Sequence, residues 1–320
     1  VFFKKKTENV YYHIYVYTNL IMFKQKYFWF SILIILALLY LSITYTNNSR
    51  QLAEGFHQKR PFILKTGNGI YDSFYADIYD KLHTPEEHAT FEYNKIIDAT
   101  MPNKKLSNFL DIGSGTGDLV NKLTSNGYNA HGIDSSEAMC VKAKSKYPTI
   151  DVNHTHMDSA SYDTNSFSHI TCTDSTFYQM KDKSDFFRKC YNWLIPNGYL
   201  VLHLVDKENF TPVVSCVNKI LDINLSNDTV LKNINNTTLD FVDFKYNVAY
   251  KQDDLIDELI VKETFTDTTS RHVRQNEIIL NIENLKETLK IAANSGFIAH
   301  SKFITPTDKH QFVYIFERVG

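Results

Sequence analysis

Between Leu106 and Val205 the chain repeats one unit: an apolar run ending in an acid or a turn, then a stretch with helical spacing. No other feature of the 320 residues limits the possible folds as tightly. Strands are predicted at 106–112, 130–133, 149–156, 167–173 and 199–205. Helices are predicted at 118–124, from an N-cap at Ser135 to Tyr147, and at 185–194. Strands alternating with helices at this spacing imply a doubly wound, mainly parallel α/β sheet. Two helices precede it, one over 71–80 with aromatics at helical spacing and one opened by Pro85 and running to about Ala99. Behind it, residues 207–239 read as irregular or partly helical. Strand-like runs at 243–250, 259–266 and 272–280 read as an antiparallel addition, and a helix over 282–294 leads to strands at 297–304 and 311–317.

The chemistry begins at Asp111-Ile112-Gly113-Ser114-Gly115-Thr116-Gly117, where the first strand hands over to a helix. Glycine permits the tight turn and lets backbone amides approach a ligand. Taken alone, such a turn could serve a dinucleotide or nothing at all. A dinucleotide loop of the form GxGxxG requires glycine at 118, and the residue is Asp118. Acids also recur at the ends of successive strands, at Asp111, Asp134 and Asp158. Ligands bind at those carboxyl ends in an open parallel sheet. Three carboxylates there suit a ligand carrying an ammonium, a ribose diol and an adenine amine. For any one of them alone, a helix cap or a solvated loop is the commoner role.

Leu110–Leu119 resembles motif I of the class I S-adenosylmethionine-dependent methyltransferases. The resemblance extends over roughly residues 70–206, and Phe297–Glu317 is similar to the closing β-hairpin of that family. It implies a seven-stranded Rossmann-like sheet and S-adenosyl-L-methionine as cofactor. By the same resemblance Asp111 and the loop residues Gly113, Ser114, Gly115, Thr116 and Gly117 hold the methionine part. Asp134 takes the ribose hydroxyls, and Asp158 with the Met157 backbone meets the adenine. Tyr71, Tyr75 and Tyr79 resemble the lid helix of small-molecule members, which places Tyr71 and Tyr79 at the cofactor. Two departures stand out: Asn197 interrupts the usual Pro-Gly-Gly turn, and Ser168 replaces the usual acid at the head of the fourth strand.

The implied activity is methyl transfer to a small-molecule acceptor by in-line displacement. Asp174 and Tyr178 lie where this family faces the methyl group, and His203 with Asp206 ends the fifth strand as a candidate general base. The Asn-Pro-Pro-Tyr-like tetrad of DNA and protein amide methylases is absent, and the net charge of −2 gives no basic tract for nucleic acid. The chain is expected to act as a monomer or homodimer. A cofactor-binding but inactive interaction module at a membrane is the alternative, and Asp118 opposes a nicotinamide-dependent oxidoreductase. No metal is expected, since His154 and His156 lack a third ligand. Cys140, Cys172, Cys190 and Cys216 form no CxxC pair and read as free thiols.

No charge occurs from Tyr27 to Ser49. Residues 28–46 therefore read as a transmembrane signal-anchor helix, tethering the protein to a lipid membrane by a single N-terminal pass. Lys24 and Lys26 before the span lean toward a cytoplasmic N-terminus. Residues 1–27 read as an extension, of which 1–21 precede a natural start at Met22. The further divisions are a tether over 47–66, the core over 67–206, the β addition over 207–282 and a closing segment over 283–320.

Overall fold

The computed structural model describes residues 29–42, 58, 60–209, 236–253, 257–306 and 308–320. The chain divides into two units, residues 1–54 and 55–320. In the first, residues 29–42 form helix α1, with Leu33, Leu38, Tyr40 and Leu41 exposed. The expected membrane-crossing helix over 28–46 extends past α1 at both ends, to residues 28 and 43–46, which lie outside the described residues. Among the described residues no helix is long and apolar enough to cross a membrane. The membrane partner and single-pass localisation that rested on that helix are unsupported.

The second unit holds two sheets. The larger contains β2 (Asn108–Ile112), β3 (Asn129–Asp134), β4 (Asp151–His154), β5 (Phe167–Cys172), β6 (Leu194–Val205), β11 (Phe297–Ile304) and β12 (Gln311–Arg318). Their spatial order is β11-β12-β6-β5-β2-β3-β4. The five strands of the repeating unit run parallel, while β12 pairs antiparallel with β6 and β11 with β12. Chain order reverses between β2 and β5, so a crevice opens at their carboxyl ends.

Helices α3 (Pro85–Thr100), α4 (Asp118–Ser125) and α5 (Glu137–Lys146) cover one face. Ile96, Leu119, Val120, Leu123 and Ala143 pack there on Phe109, Val152, Val201 and Ile315. On the other face α7 (Lys183–Trp193), which follows the short helix α6 (Thr176–Gln179), brings Phe186 and Phe187 against Phe177, Phe297 and Phe316, with neighbouring ring centroids 5.3–6.4 Å apart. Helix α8 (Leu285–Asn294) precedes β11. Cys140, Cys172 and Cys190 are buried free thiols, and Cys216 lies outside the described residues.

The second sheet contains β1 (Phe62–Thr66), β7 (Asn236–Asp240), β8 (Phe244–Asp253), β9 (Glu258–Asp267) and β10 (Val273–Asn281), in the order β1-β10-β9-β8-β7. The three predicted strands appear as β8, β9 and β10. Residues 62–66, expected in the tether, instead add a parallel strand to β10. Most of the expected irregular stretch, 210–235, lies outside the described residues, and its end forms β7.

This sheet packs on helix α2 (Ser73–His83), the shifted form of the helix predicted at 71–80. Phe265, fully buried, stands edge-on to Phe74 and Phe244 at 5.4 and 5.7 Å between centroids and 5.0 Å from Tyr246. A polar chain runs beneath these rings. Tyr75 and Tyr246 donate to Glu263 Oε1 at 3.0 and 2.8 Å, and Asn276 donates to Glu263 Oε2 at 3.1 Å. Arg274 donates to Asn276 Oδ1, to both oxygens of Asp72 and to the Ile70 carbonyl. A carboxylate and a guanidinium at 2–3% exposure are tolerable only because each is bonded on several sides.

Phe265→Ala should destabilise the chain by about 3–5 kcal/mol, read by urea unfolding. A loss below about 1 kcal/mol would show that the second sheet does not share this core.

Candidate functional site

The glycine turn follows β2, and its first two amides, of Gly113 and Ser114, both donate to the Ile133 carbonyl at 2.8 and 3.0 Å. Gly113 and Gly115 take φ values of 75° and 54°, in the left-handed region that a side chain disfavours. A Cβ at Gly113 would collide with the Thr176 side chain. A Cβ at Gly115 would stand 3.8 Å from Met139 Cε and 4.0 Å from Tyr79 Cε1, in the space between them.

Asp134, at the end of β3, locks this turn to the next. Its Oδ2 accepts the Gly115 amide at 2.9 Å and its Oδ1 the Ser136 amide at 2.8 Å. Burial raises its pKa, and the two amides pull the other way. Each carboxylate oxygen keeps a further lone pair for a ligand hydroxyl. Ser136, not the expected Ser135, caps α5 by accepting the Met139 amide, and its hydroxyl donates to the Tyr71 carbonyl at 2.5 Å.

These groups face a cavity of about 580 Å³ between the strand ends and the second sheet. Gly113, Gly115, Asp134, Met157, Asp158, Tyr71, Tyr79 and Asp174 line it, and Glu277 to Ile279 of β10 close it from the second sheet. Met139, Thr155, His156, Thr176 and Gln179 also line it; of these the sequence analysis names only His156, and for a metal. Gln179 donates to the Tyr71 hydroxyl at 2.9 Å. Asp158 stands at the rim, its side chain 83% exposed, and Lys189 donates to the carbonyls of Met157 and Asp158.

The other named residues lie elsewhere. Asp111 is buried and accepts the Thr171 hydroxyl at 2.6 Å; burial pushes its pKa up to about 7. Ser114 Oγ is buried with no hydrogen-bond partner among the described residues. The Thr116 hydroxyl lies within hydrogen-bond distance of Asp80 and Asp118, and Lys146 donates to both of those carboxylates. Gly117 is tight against α5 and its exit, where a Cβ would fall 2.5 Å from Ile150 Cδ1. The Tyr178 hydroxyl accepts the Val205 amide at 2.8 Å, deep in the core. His203 is buried, and burial lowers its pKa. Among the described residues no group of three His, Cys, Asp or Glu is placed to hold a metal ion.

Two groups on α3 join Asp174 behind the cavity. His88 Nδ1 is 3.1 Å from Asp174 Oδ1. Burial opposes both charges, but the pairing outweighs it, raising the imidazole to about 9 and holding the carboxyl low. Glu92, 5% exposed, is pushed up to about 8 by burial and by the Asp174 charge. The sequence carried a trace of this. Ala89, Glu92 and Ile96 form the buried stripe of α3, and an acid within an apolar stripe marks a site.

The residues fit an S-adenosylmethionine-type ligand. The turn leaves a cradle beside Gly115, and Asp134 offers acceptors to a diol next to it. Residues 110–202 match the family described as "Methyltransferase domain". A Bacillus subtilis (strain 168) protein that carries a methyltransferase name, YqeM, is 31% identical over 140 residues, 41% of this chain and 54% of that relative. The chain thus spans about half the length of that curated relative. Among solved structures, the CcbJ methyltransferase of Streptomyces caelestis superposes with a TM-score of 0.60 at 16% identity, covering 79% of this chain and 100% of that one. CalS10, an amino pentose methyltransferase from Micromonospora echinaspora solved with S-adenosylmethionine bound, gives 0.56 at 15% identity, covering 77% and 96%. At such identities the likeness establishes the fold.

Asp111, Glu92 and His88 each have a pKa raised on folding, to about 7, 8 and 9. Their stabilising contributions are complete below the ordinary values, about 4 for the acids and about 6.5 for imidazole. They are lost as pH rises through the raised values. The Tm should therefore fall between pH 6 and pH 9.5 by calorimetry; a flat or rising Tm would contradict the burial of these groups.

Proposed function

We propose that the chain, whose residues 110–202 match the family described as "Methyltransferase domain", is a class I, S-adenosylmethionine-dependent enzyme that transfers a methyl group to a small-molecule acceptor inside the cavity. One observation carries the reading: Gly113, Gly115 and Asp134 open onto a partly open cavity of about 580 Å³ bordered by the second sheet. That volume lies within the usual range of small-molecule sites, roughly 300–1,000 Å³, and the roof leaves little room for a polymer. The amino pentose acceptor in the name of CalS10 supports the same class.

In this reading the Gly113 and Gly115 turn holds the methionine part, together with Asp111 from beneath. Asp134 accepts the ribose hydroxyls, and Met157 and Asp158 border the adenine. Ser114, Thr116 and Gly117 act by shaping the turn, through the buried hydroxyl, the Asp80–Asp118–Lys146 network and the contact with α5. Tyr71 and Tyr79 close over the bound molecule. When bound, the cofactor supplies an electrophilic methyl on a sulfonium centre. The chain supplies alignment and exclusion of water, which account for most of the acceleration of an in-line transfer. Asp174 is the carboxylate that faces the acceptor. His203 and Tyr178 support it from β6 and from the core. Membrane attachment forms no part of this proposal.

The full chain should bind S-adenosylhomocysteine in calorimetric titration. Gly115→Val should weaken that binding by roughly ten- to a hundredfold through backbone strain and lost space. Asp134→Ala should weaken it by a similar factor through the loss of acceptors for charged hydrogen bonds. Labelled methyl from S-adenosylmethionine should pass to a component of a low-molecular-weight cell extract. Binding without any transfer would favour the inactive-module reading; variants that bind like the wild type would overturn the site.

A further inference from the structure

Asp174 ends the turn after β5 with φ 50°, left-handed for a residue that carries a side chain. It lines the cavity beside Ser175 and Thr176, its side chain 37% exposed. Strand alternation explains what stands behind it. Asp111, Thr171 and His203 fall on the face of the sheet covered by α3, near the carboxyl ends of β2, β5 and β6. Helix α3 turns His88 and Glu92 toward that edge, one helical turn apart. His88 Nε2 is buried without a partner among the described residues, while Nδ1 meets Asp174 at 3.1 Å. His203, nine-tenths buried on β6, acts on the same carboxylate electrostatically.

We propose that the cavity takes an amine as its methyl acceptor, with Asp174 receiving the amine N–H and His88 acting as the positioning residue that holds Asp174. The inference rests on the methyltransferase reading above. A carboxylate kept ionised accepts hydrogen bonds and donates none, so the group that meets it is a donor. Beyond the cofactor residues, Asp182, Asp185, Glu258 and Glu277 line the cavity against one lysine, Lys181, among its described lining residues; Asp185 pairs with Arg188 and Lys189 and Glu277 with Lys262, so the excess of negative charge rests on Asp182, Glu258 and the carboxylates at the strand ends. Walls of one sign concentrate ligands of the other, which favours an amine over a neutral alcohol and disfavours a carboxylate.

The transfer balances without another reactant. The acceptor enters as an ammonium and gives one proton to solvent. The nitrogen lone pair then forms the N–C bond while the C–S pair returns to sulfur, leaving a thioether. The methylated nitrogen keeps its positive charge against Asp174 until it departs.

Asp174 faces His83 and Tyr79 from α2, His88 and Glu92 from α3, Asp111 from β2 and His203 from β6. Glu87 adds its charge to His88 from the same helix. All of them bear on a titration of this pair.

The test uses the full chain with S-adenosylhomocysteine, reading the His88 ring by nitrogen NMR and the Asp174 carboxyl by carbon NMR. Wild-type His88 should be doubly protonated at pH 7.5. Asp174→Asn should leave it neutral there, and His88→Gln should move the Asp174 titration up by at least one pH unit. The two variants report reciprocally, so failure of one to fold leaves the other reading. Affinity for S-adenosylhomocysteine should stay within threefold in His88→Gln, which separates positioning from collapse of the site. Labelled product from the extract assay should be stable to base and retained on a cation exchanger, as a methylated amine is.

A neutral wild-type His88, or a titration that ignores Asp174→Asn, would overturn the positioning role. A neutral or base-labile product would overturn the amine alone. No labelled product at all would overturn the methyltransferase reading, and the acceptor with it.

Discussion

The site depends on one carboxylate. Asp134 ends β3 and takes the amide of Gly115 with one oxygen and that of Ser136 with the other. Those two bonds tie the turn after β2 to the cap of α5, so neighbouring strand ends present a single surface. Low dielectric makes each bond stronger and makes their loss more costly. Ser136 extends the tie, since its hydroxyl holds the Tyr71 carbonyl and thereby the approach to α2. A ligand on this surface meets groups that are already in place, and such preorganisation reduces the cost of binding.

The second sheet turns that surface into a partly open cavity. A strand-helix sheet of this kind leaves its carboxyl edge open; here β10 and β1 lie across it. They are fixed through Glu263, Arg274 and the ring of Phe265 on α2. Because α2 also carries Tyr79, a shift of the second sheet would be felt at the cavity. The polar chain from Asp72 to Tyr246 gives that packing one register, where an apolar face alone would allow several.

Much of the parallel sheet was legible because its strands are buried on both faces and end in acids, a pattern few other folds produce. The turn with Gly113 and Gly115 was legible for the same reason, and Asp134 through its distance from it. Other features were hidden by their dependence on tertiary contacts. Phe62–Thr66 becomes a strand only by pairing with β10, two hundred residues on. His88 belongs to the site only because α3 packs over the ends of β5 and β6, and its own neighbourhood in sequence reads as an ordinary helix start. Thr116 and Gly117 shared the motif yet face the α2–α5 side, since alternate residues of a tight turn point apart. The apolar run near the N-terminus was legible as a helix, described over 29–42.

Hydrogen exchange of the full chain with and without S-adenosylhomocysteine tests the account most directly. Saturable binding of one molecule per chain should slow exchange at residues 113–117 and 134–136, where the Asp134 carboxylate joins the two turns, and across Glu277–Ile279 in the roof. Absence of saturable binding, or protection confined to other segments, would contradict it.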